Sequence, residues 1–223
     1  MGTVRVWAAV RVAAALLLPA AFAFAADEPE AKPANRDVID VRDFGAKGDG
    51  VADDADAVQN AIAEGLRLVG GRKPDVAYDM KKYAGYGPVV VYLPRGTYLV
   101  NRPLKVPCGS YSWNRALRIT GESARIKAGK PMDAVLHVNI ASHITVEGLT
   151  LDGAGLAQNG FTALKISGRN GLVDRVAVSG AVSHGLALEK CQGGVFRACS
   201  SGGNGGDGWR IVDCNAAVFD GCA

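Results

Sequence analysis

The sequence of 223 residues has no excess of charge of either sign, with 25 lysines and arginines against 22 aspartates and glutamates. No stretch is dense in Lys or Arg, so the sequence offers no electrostatic basis for binding nucleic acid. It also lacks the Lys-containing glycine loop that binds phosphates, the Cys/His spacing of a zinc site and the turn of a hydrolase nucleophile. We therefore predict no nucleic-acid partner, no metal ligands and no bound cofactor.

Cysteine is scarce, with Cys108, Cys191, Cys199, Cys214 and Cys222 in the whole chain. This odd and small number does not form a disulfide framework. Cys191 and Cys214, like Cys199 and Cys222, lie 23 residues apart. The spacing leaves open whether each pair forms a disulfide or a row of small stacked side chains. Glycine is abundant, with 29 residues, but has no Gly-X-Y period, which excludes collagen.

Residues 1–25 have the three parts of a secretory signal peptide. A basic start is followed by an apolar stretch around Leu16-Leu17-Leu18 and by the small-residue ending Ala23-Phe24-Ala25. The apolar stretch is short for a membrane span. We predict that the mature chain begins near Ala26, is secreted or periplasmic, and has no membrane association after cleavage. Residues 26–37 read as a flexible leader, and 38–223 as a single domain.

One helix and many short strands are predicted in this domain. Apolar residues at helical spacing after Asp53-Asp54 predict a helix near 54–69, and the three aspartates of 53–56 are predicted to cap it rather than to bind a cation. From residue 88 onward, short apolar runs separated by turn residues predict strands. No second amphipathic helix is apparent, which argues against a βαβ alternation.

An internal repeat is the most informative feature of the sequence. Stretches that begin at Ala163, Gly185 and Gly208 align without gaps, at offsets of 22 and 23 residues. Two short strands per repeat at this period indicate a solenoid, in which equivalent residues stack about 4.8 Å apart. The alignment predicts two inward rows: Leu164, Leu186 and Trp209 in the first, and Val146, Val173, Val195 and Val218 in the second.

Two segments near the start of the domain resemble a known family. They are Val41-Arg-Asp-Phe-Gly-Ala-Lys-Gly-Asp-Gly-Val-Ala-Asp-Asp54 and Val91-Tyr-Leu-Pro-Arg-Gly-Thr-Tyr-Leu99. Both are similar to the opening of the pectate-lyase superfamily domain, which polygalacturonases, rhamnogalacturonases, some glucanases and phage tailspikes share. The resemblance implies an all-β solenoid, a right-handed parallel β-helix with an N-terminal capping α-helix. It also implies a polysaccharide partner in an outer groove.

The resemblance suggests His184 and Asp207 as candidate catalytic residues. Asp207, in Gly206-Asp207-Gly208-Trp209-Arg210-Ile211, matches the last residue of the Asn-Thr-Asp motif of polygalacturonases, and His184 aligns with it one turn earlier. A carboxylate beside an imidazole can perform acid–base catalysis. The family's later motifs would fall beyond Ala223. We therefore expect little depolymerising activity from this chain alone, and a missing segment or another chain that caps its C-terminal end.

Four further residues are candidates for substrate binding. Lys165 and Arg210 are predicted to project outward from one strand row, where they would bind uronate carboxylates. Phe196 and Phe219 alternate with the valines assigned to the core, so we predict that they point outward and stack on sugars. A lyase of this family would additionally use calcium.

Taken together, these residues favour an exported polysaccharide-processing β-helix protein that acts on or binds an acidic polysaccharide. The alternative is a non-catalytic β-helix: an adhesin, a tailspike-like protein or a carbohydrate-binding module. The residues leave open whether an active form would be a hydrolase, a lyase or an epimerase.

Overall fold

The computed structural model describes residues 38–70, 88–107, 117–139, 144–164, 171–191 and 193–223. The predicted signal peptide, the leader and Lys165 lie outside these ranges. No helix in the described ranges is both long and apolar enough to span a bilayer.

The described residues form a right-handed parallel β-helix, as the repeat and the family resemblance predicted. All strand pairs found among these residues are parallel and join one turn to the next. The strands are β1 (Val38–Asp40), β2 (Asp49–Asp53), β3 (Val89–Leu93), β4 (Gly96–Val100), β5 (Leu104–Val106), β6 (Leu117–Ala128), β7 (Met132–Asn139), β8 (Ile144–Asp152), β9 (Ala157–Leu164), β10 (Leu172–Asp174), β11 (Ala177–Ser179), β12 (His184–Glu189), β13 (Val195–Arg197), β14 (Ser200–Gly202), β15 (Trp209–Val212) and β16 (Val218–Asp220).

The strands belong to two sheets. The small sheet has the order β15-β12-β9-β7-β5, and the large sheet contains the path β1-β3-β6-β8-β10-β13-β16 together with β2, β4, β11 and β14. Both sheets place alternate side chains in the interior, so that Val89, Val91 and Leu93 of β3 are fully buried. Stacking the turns joins these side chains into one continuous core.

Helix α1 (Ala55–Gly70) agrees with the helix predicted near 54–69. Asp53 Oδ1 accepts a 3.0 Å hydrogen bond from the Ala55 N–H at its start, as expected of a cap. Gly65 lies against the large sheet: a Cβ atom there would come within 2.9 Å of both Val91 and Leu117. A residue without a side chain is therefore what lets the helix pack this closely.

The acidic residues before α1 stabilise the chain that precedes it. Asp54 is 1% exposed, and its two carboxylate oxygens accept hydrogen bonds of 2.7 and 2.9 Å from the N–H groups of Lys47 and Gly48. Lys47 and Gly48 come shortly after a 3-10 helix at Val41–Phe44. The motif that resembles the superfamily opening thus builds the covered end of the β-helix.

The predicted register is wrong at the first of the three aligned turns. Leu186 pairs with Phe161, and Leu164 pairs with Glu189. The gapless alignment assumed an offset of 22 residues, whereas the turn from Phe161 to Leu186 is longer. A slip by an odd number of residues moves each side chain to the other face of the sheet. The next pairing, of Leu186 with Trp209, is as predicted.

The predicted row of valines is right from Val146 to Val173 and wrong at the next step. Val173 pairs with Val146 and Phe196, whereas Val195 pairs with Leu172 and Val218. Phe196 therefore takes the interior position and is fully buried. Val218, assigned to the core from the sequence, is 52% exposed on the outer face.

Candidate functional site

His184 and Asp207 lie together on consecutive turns. His184 begins β12, and Asp207 lies two residues before β15. His184 Nδ1 is 3.5 Å from Asp207 Oδ2. The Gly185 N–H donates a 3.0 Å hydrogen bond to the Asp207 carbonyl oxygen, which anchors the two backbones to each other. The alignment of these two residues in the sequence corresponds to this proximity.

The two side chains differ in their contact with solvent. The side chain of His184 is 24% exposed and that of Asp207 72%. Nδ1 of His184 is buried and makes no hydrogen bond, so the exposed surface of the ring belongs to its other atoms. Gly206 adjoins the ring, because a Cβ there would lie 3.4 Å from His184 Nδ1 and only 2.8 Å from the Ser183 carbonyl oxygen.

Arg210 lies on the outer face of the small sheet. It pairs with Ala187, which alternates with the fully buried Leu186 and Leu188 of β12. Its Nη1 donates a 2.9 Å hydrogen bond to Glu189 Oε1, and both side chains are 41% exposed. The prediction that Arg210 points outward agrees with this position, but the structure adds a carboxylate partner.

A row of residues on the outer side of the small sheet crosses it at the position of Arg210, with Thr162 and Ala187 of this row only 9% and 4% exposed. Consecutive pairings connect Lys105, His137, Thr162, Ala187 and Arg210. Leu136 and Val138, on either side of His137, are buried in the core, which places His137 on the outer face. We call these five residues the outer row. His137 has no regular spacing to a partner in the sequence, since the turns that join it to Lys105 and to Thr162 differ in length.

Within the outer row, His137 is held towards its neutral form. Its pKa is lowered, chiefly by burial and further by the positive charge of Lys105, while the nearby Asp133 acts in the opposite direction. The row thus combines two fixed cations, Lys105 and Arg210, with an imidazole that gains charge only at lower pH.

The two phenylalanines stack on each other in a column that begins in the interior. Phe196 is fully buried, and its ring stacks on that of Phe219 with a centroid distance of 5.1 Å and an interplanar angle of 13°. Both rings also make edge contacts with Trp209. Phe219 is 41% exposed, but it belongs to the same interior column. Their predicted outward direction is wrong, because the alignment placed the valines on the wrong face.

A buried carboxylate on the large sheet was not identified from the sequence. Asp174 is 2% exposed and accepts 2.7 Å bonds from Arg197 Nε and Arg175 Nη1. Its pKa is lowered, first by the hydrogen bond from Arg197 and also by the positive charges around it. The 23-residue interval between Asp174 and Arg197 is the signal that a correct register would have given.

The structure also bears on the predicted cysteine pairs and on possible metal ligands. Among the described residues, no disulfide joins Cys191, Cys199, Cys214 and Cys222. Burial raises the pKa of Cys199 to about 11. Over the same ranges, no group of three or more His, Cys, Asp or Glu side chains is arranged to hold a metal ion.

Comparison with known proteins shows which family and which solved structures the chain resembles. Residues 38–134 match the family model "Rhamnogalacturonase A/epimerase, pectate lyase-like". The A-module of mannuronan C-5 epimerase AlgE4 from Azotobacter vinelandii is structurally similar, with a TM-score of 0.57 and 26% identity over 82% of this chain and 50% of that one. The chain carries a pectate-lyase-like right-handed β-helix domain.

Curated relatives match a shorter part of the pectate-lyase-like domain. A glucan 1,3-beta-glucosidase of Cochliobolus carbonum is 48% identical over 64 residues, which are 29% of this chain and 7% of that protein. A probable glucan endo-1,3-beta-glucosidase of Arthroderma benhamiae is 42% identical over 64 residues, 29% of this chain and 6% of that protein. The chain thus matches only a small part of the length of these relatives.

A viral structure shows the same fold. The Geobacillus virus E2 protein ORF18 has a TM-score of 0.54 and 22% identity, over 83% of this chain and 41% of that one.

Proposed function

We propose that this chain belongs to an exported polysaccharide-processing protein that binds an acidic polysaccharide across the outer face of the small sheet. The observation that carries the proposal is the pair His184 and Asp207: His184 begins β12, and Asp207 lies two residues before β15, the strand that carries Arg210. Asp207 thus lies three residues before a cation that can bind a carboxylate.

The comparisons support this proposal. The matched family model includes rhamnogalacturonase and epimerase in its description, and the epimerase neighbour is named for mannuronan. Two curated relatives are named as glucosidases of 1,3-glucans. A polysaccharide is common to all these names. The cations of the outer row favour an acidic polymer over a neutral glucan.

The chemistry that suits these residues begins at a uronate unit. A base removes the proton from the carbon next to the carboxylate, and a cation stabilises the negative charge that develops there. Return of a proton to the opposite face gives the epimer. Departure of the neighbouring glycosidic oxygen instead gives an unsaturated chain end. In this proposal His184 and Asp207 transfer the proton, while Arg210 binds the carboxylate.

A binding module without catalysis is the second candidate. The composition of the outer row favours this candidate. Thr162 and Ala187 lie between His137 and Arg210, and neither Thr162 nor Ala187 can act as an acid or a base. Such a row would bind an acidic polymer without changing it.

Measurements with three polymers distinguish the two proposed functions. The polymers are polymannuronate, polygalacturonate and a neutral 1,3-β-glucan. Binding to the purified full chain is measured by calorimetry, epimerisation by proton NMR, and elimination by the absorbance of unsaturated products. We expect the two acidic polymers to bind and the neutral glucan not to. Binding of the glucan alone would contradict the proposal.

Variants then test the residues. Arg210→Ala should weaken binding of the acidic polymers about tenfold at low salt, since it removes one charge-assisted contact. Arg67→Ala is the matched control, because Arg67 also pairs with a carboxylate, Glu64, but lies on α1. If His184→Ala and Asp207→Asn abolish turnover but retain binding, the chain is catalytic. Binding without turnover in the unaltered protein would identify the binding module.

A further inference from the structure

We propose that Asn159, His184 and Asp207 form a binding site for a first-row divalent transition-metal ion. The three residues lie on three consecutive turns of the β-helix at the start of the small sheet's strands. His184 pairs with Asn159, and the backbone of Asp207 is bonded to Gly185. The turns therefore place an amide, an imidazole and a carboxylate residue in a single column.

Two of the three donor atoms are buried without a partner. Asn159 Oδ1 and His184 Nδ1 are the buried side-chain polar atoms that, in the described part of the chain, make no hydrogen bond. Burying such an atom unpaired is unfavourable, because it gives up its hydrogen bonds to water. The Asn159 amide is oriented by its Nδ2, which donates a 3.3 Å hydrogen bond to the Asp133 carbonyl oxygen. This bond makes the oxygen of the amide the unpaired atom.

The spacing of the imidazole and the carboxylate fits a shared ion. His184 Nδ1 and Asp207 Oδ2 are 3.5 Å apart and do not form a hydrogen bond. Two ligands bound tetrahedrally at about 2.0–2.2 Å from one zinc ion are separated by roughly 3.4 Å. The two atoms thus have the separation of ligands on one ion.

The donor set selects the class of ion. Imidazole nitrogen with carboxylate oxygen suits zinc and its neighbours in the first transition row, whereas calcium takes oxygen ligands only. The exposed carboxylate of Asp207 leaves one side of the site open to solvent. The proposed site therefore differs from the calcium site that a lyase of this superfamily would be expected to use. An ion held there would exclude the proton-transfer role proposed above for His184 and Asp207. It would not exclude binding of a polyanion, because its positive charge would lie on the same sheet.

An ordered water is the simpler occupant, because water also satisfies two to four polar atoms. The two occupants differ in one measurable respect: a metal ion is taken up from solution with a defined stoichiometry, whereas water is not.

The test uses the metal-free full chain without an affinity tag. Zn²⁺ binding is measured by calorimetry, and Co²⁺ binding by visible absorption. We expect one ion per chain, and a loss of affinity of at least tenfold in His184→Ala and in Asp207→Ala. Asn159→Asp should tighten binding, since it supplies a second carboxylate, and this gain cannot arise from misfolding. Glu64→Gln is the matched control, because Glu64 is a carboxylate on α1 paired with Arg67, and it should leave the affinity unchanged.

Three results would overturn the proposal. They are the absence of saturable binding, binding that survives His184→Ala, and binding that is lost when the cysteines are alkylated. Because no polysaccharide is present in these measurements, their failure leaves the proposed polysaccharide function untouched.

Discussion

Arg197 Nε donates a 2.7 Å hydrogen bond to Asp174 Oδ1 across consecutive turns of the β-helix. The two residues pair directly, and their column continues to Glu147 on one side and to Asp220 on the other. Arg175 binds the second oxygen of Asp174 at 2.7 Å. The carboxylate of Asp174 is thus buried with two guanidinium partners, and it connects two turns.

Removal of this carboxylate should destabilise the β-helix. We expect Asp174→Asn to lower the free energy of unfolding by about 1–3 kcal/mol, since it breaks charged hydrogen bonds at a buried site. The pKa of Asp174 is lowered in the fold, so its contribution is complete above the ordinary carboxyl pKa and is lost as the pH falls through the lowered value. Urea denaturation between pH 3 and pH 7 measures both effects.

Glu64→Gln provides the control for that experiment. Glu64 pairs with Arg67 on the surface of α1, where solvent screens such pairs and they contribute little to stability. An equal loss of stability in both variants would show that the burial of Asp174 is unimportant.

Asp174 was missed in the sequence for a physical reason. Strand side chains alternate with a period of two, so an error of one residue in the repeat reverses inside and outside. The alignment paired Val173 with Val195, whereas the structure pairs it with Phe196. The solenoid itself was predictable, because the period and the opening motif tolerate such an error.

The site was predictable only where the turn length was right. His184 and Asp207 lie 23 residues apart in both the alignment and the structure, and they were brought together correctly. Asn159 was not identified as their neighbour, because the preceding turn, from Asn159 to His184, is longer. The outer row likewise depends on register that only the fold supplies.

The interior position of Phe196 predicts a large loss of stability on truncation. Phe196→Ala should lower the free energy of unfolding by about 3–5 kcal/mol, as expected for a fully buried ring. Phe219→Ala should cost less, because this ring is 41% exposed. Chemical denaturation measures both. Neither variant that remains folded should change the affinity for an acidic polysaccharide, and a specific loss of affinity would restore the idea that these rings stack on sugars.

Two glycines with the same backbone conformation should respond differently to substitution. Gly148 and Gly155 have φ values of 67° and 69°. A Cβ at Gly148 would lie 2.6 Å from the Gly121 carbonyl oxygen, whereas nothing lies within 4 Å of one at Gly155. Gly155→Ala should cost about 1 kcal/mol for the left-handed conformation alone. Gly148→Ala should cost clearly more, and equal shifts in melting temperature would contradict this contact.

His137 should make the binding of an acidic polysaccharide dependent on pH. Burial and Lys105 lower its pKa below the ordinary value of 6.5, so the imidazole is neutral at pH 7. As the pH falls through this lowered pKa, the outer row gains a third positive charge, and affinity should rise. In the unliganded protein the same shift has the opposite consequence: the unfolded chain binds the proton more readily, so stability decreases as the pH falls through 6.5.

NMR titration of the imidazole protons and calorimetry at several pH values test this prediction together. We expect His137 to titrate below 6.5, and His137→Ala to remove the increase in affinity at low pH while leaving affinity at pH 7.5 nearly unchanged. Lys105→Met should reduce affinity, because it removes a positive charge from the outer row, and it should also raise the pKa of His137. A pH dependence that persists unchanged in His137→Ala would assign the effect to other groups and remove His137 from the binding surface.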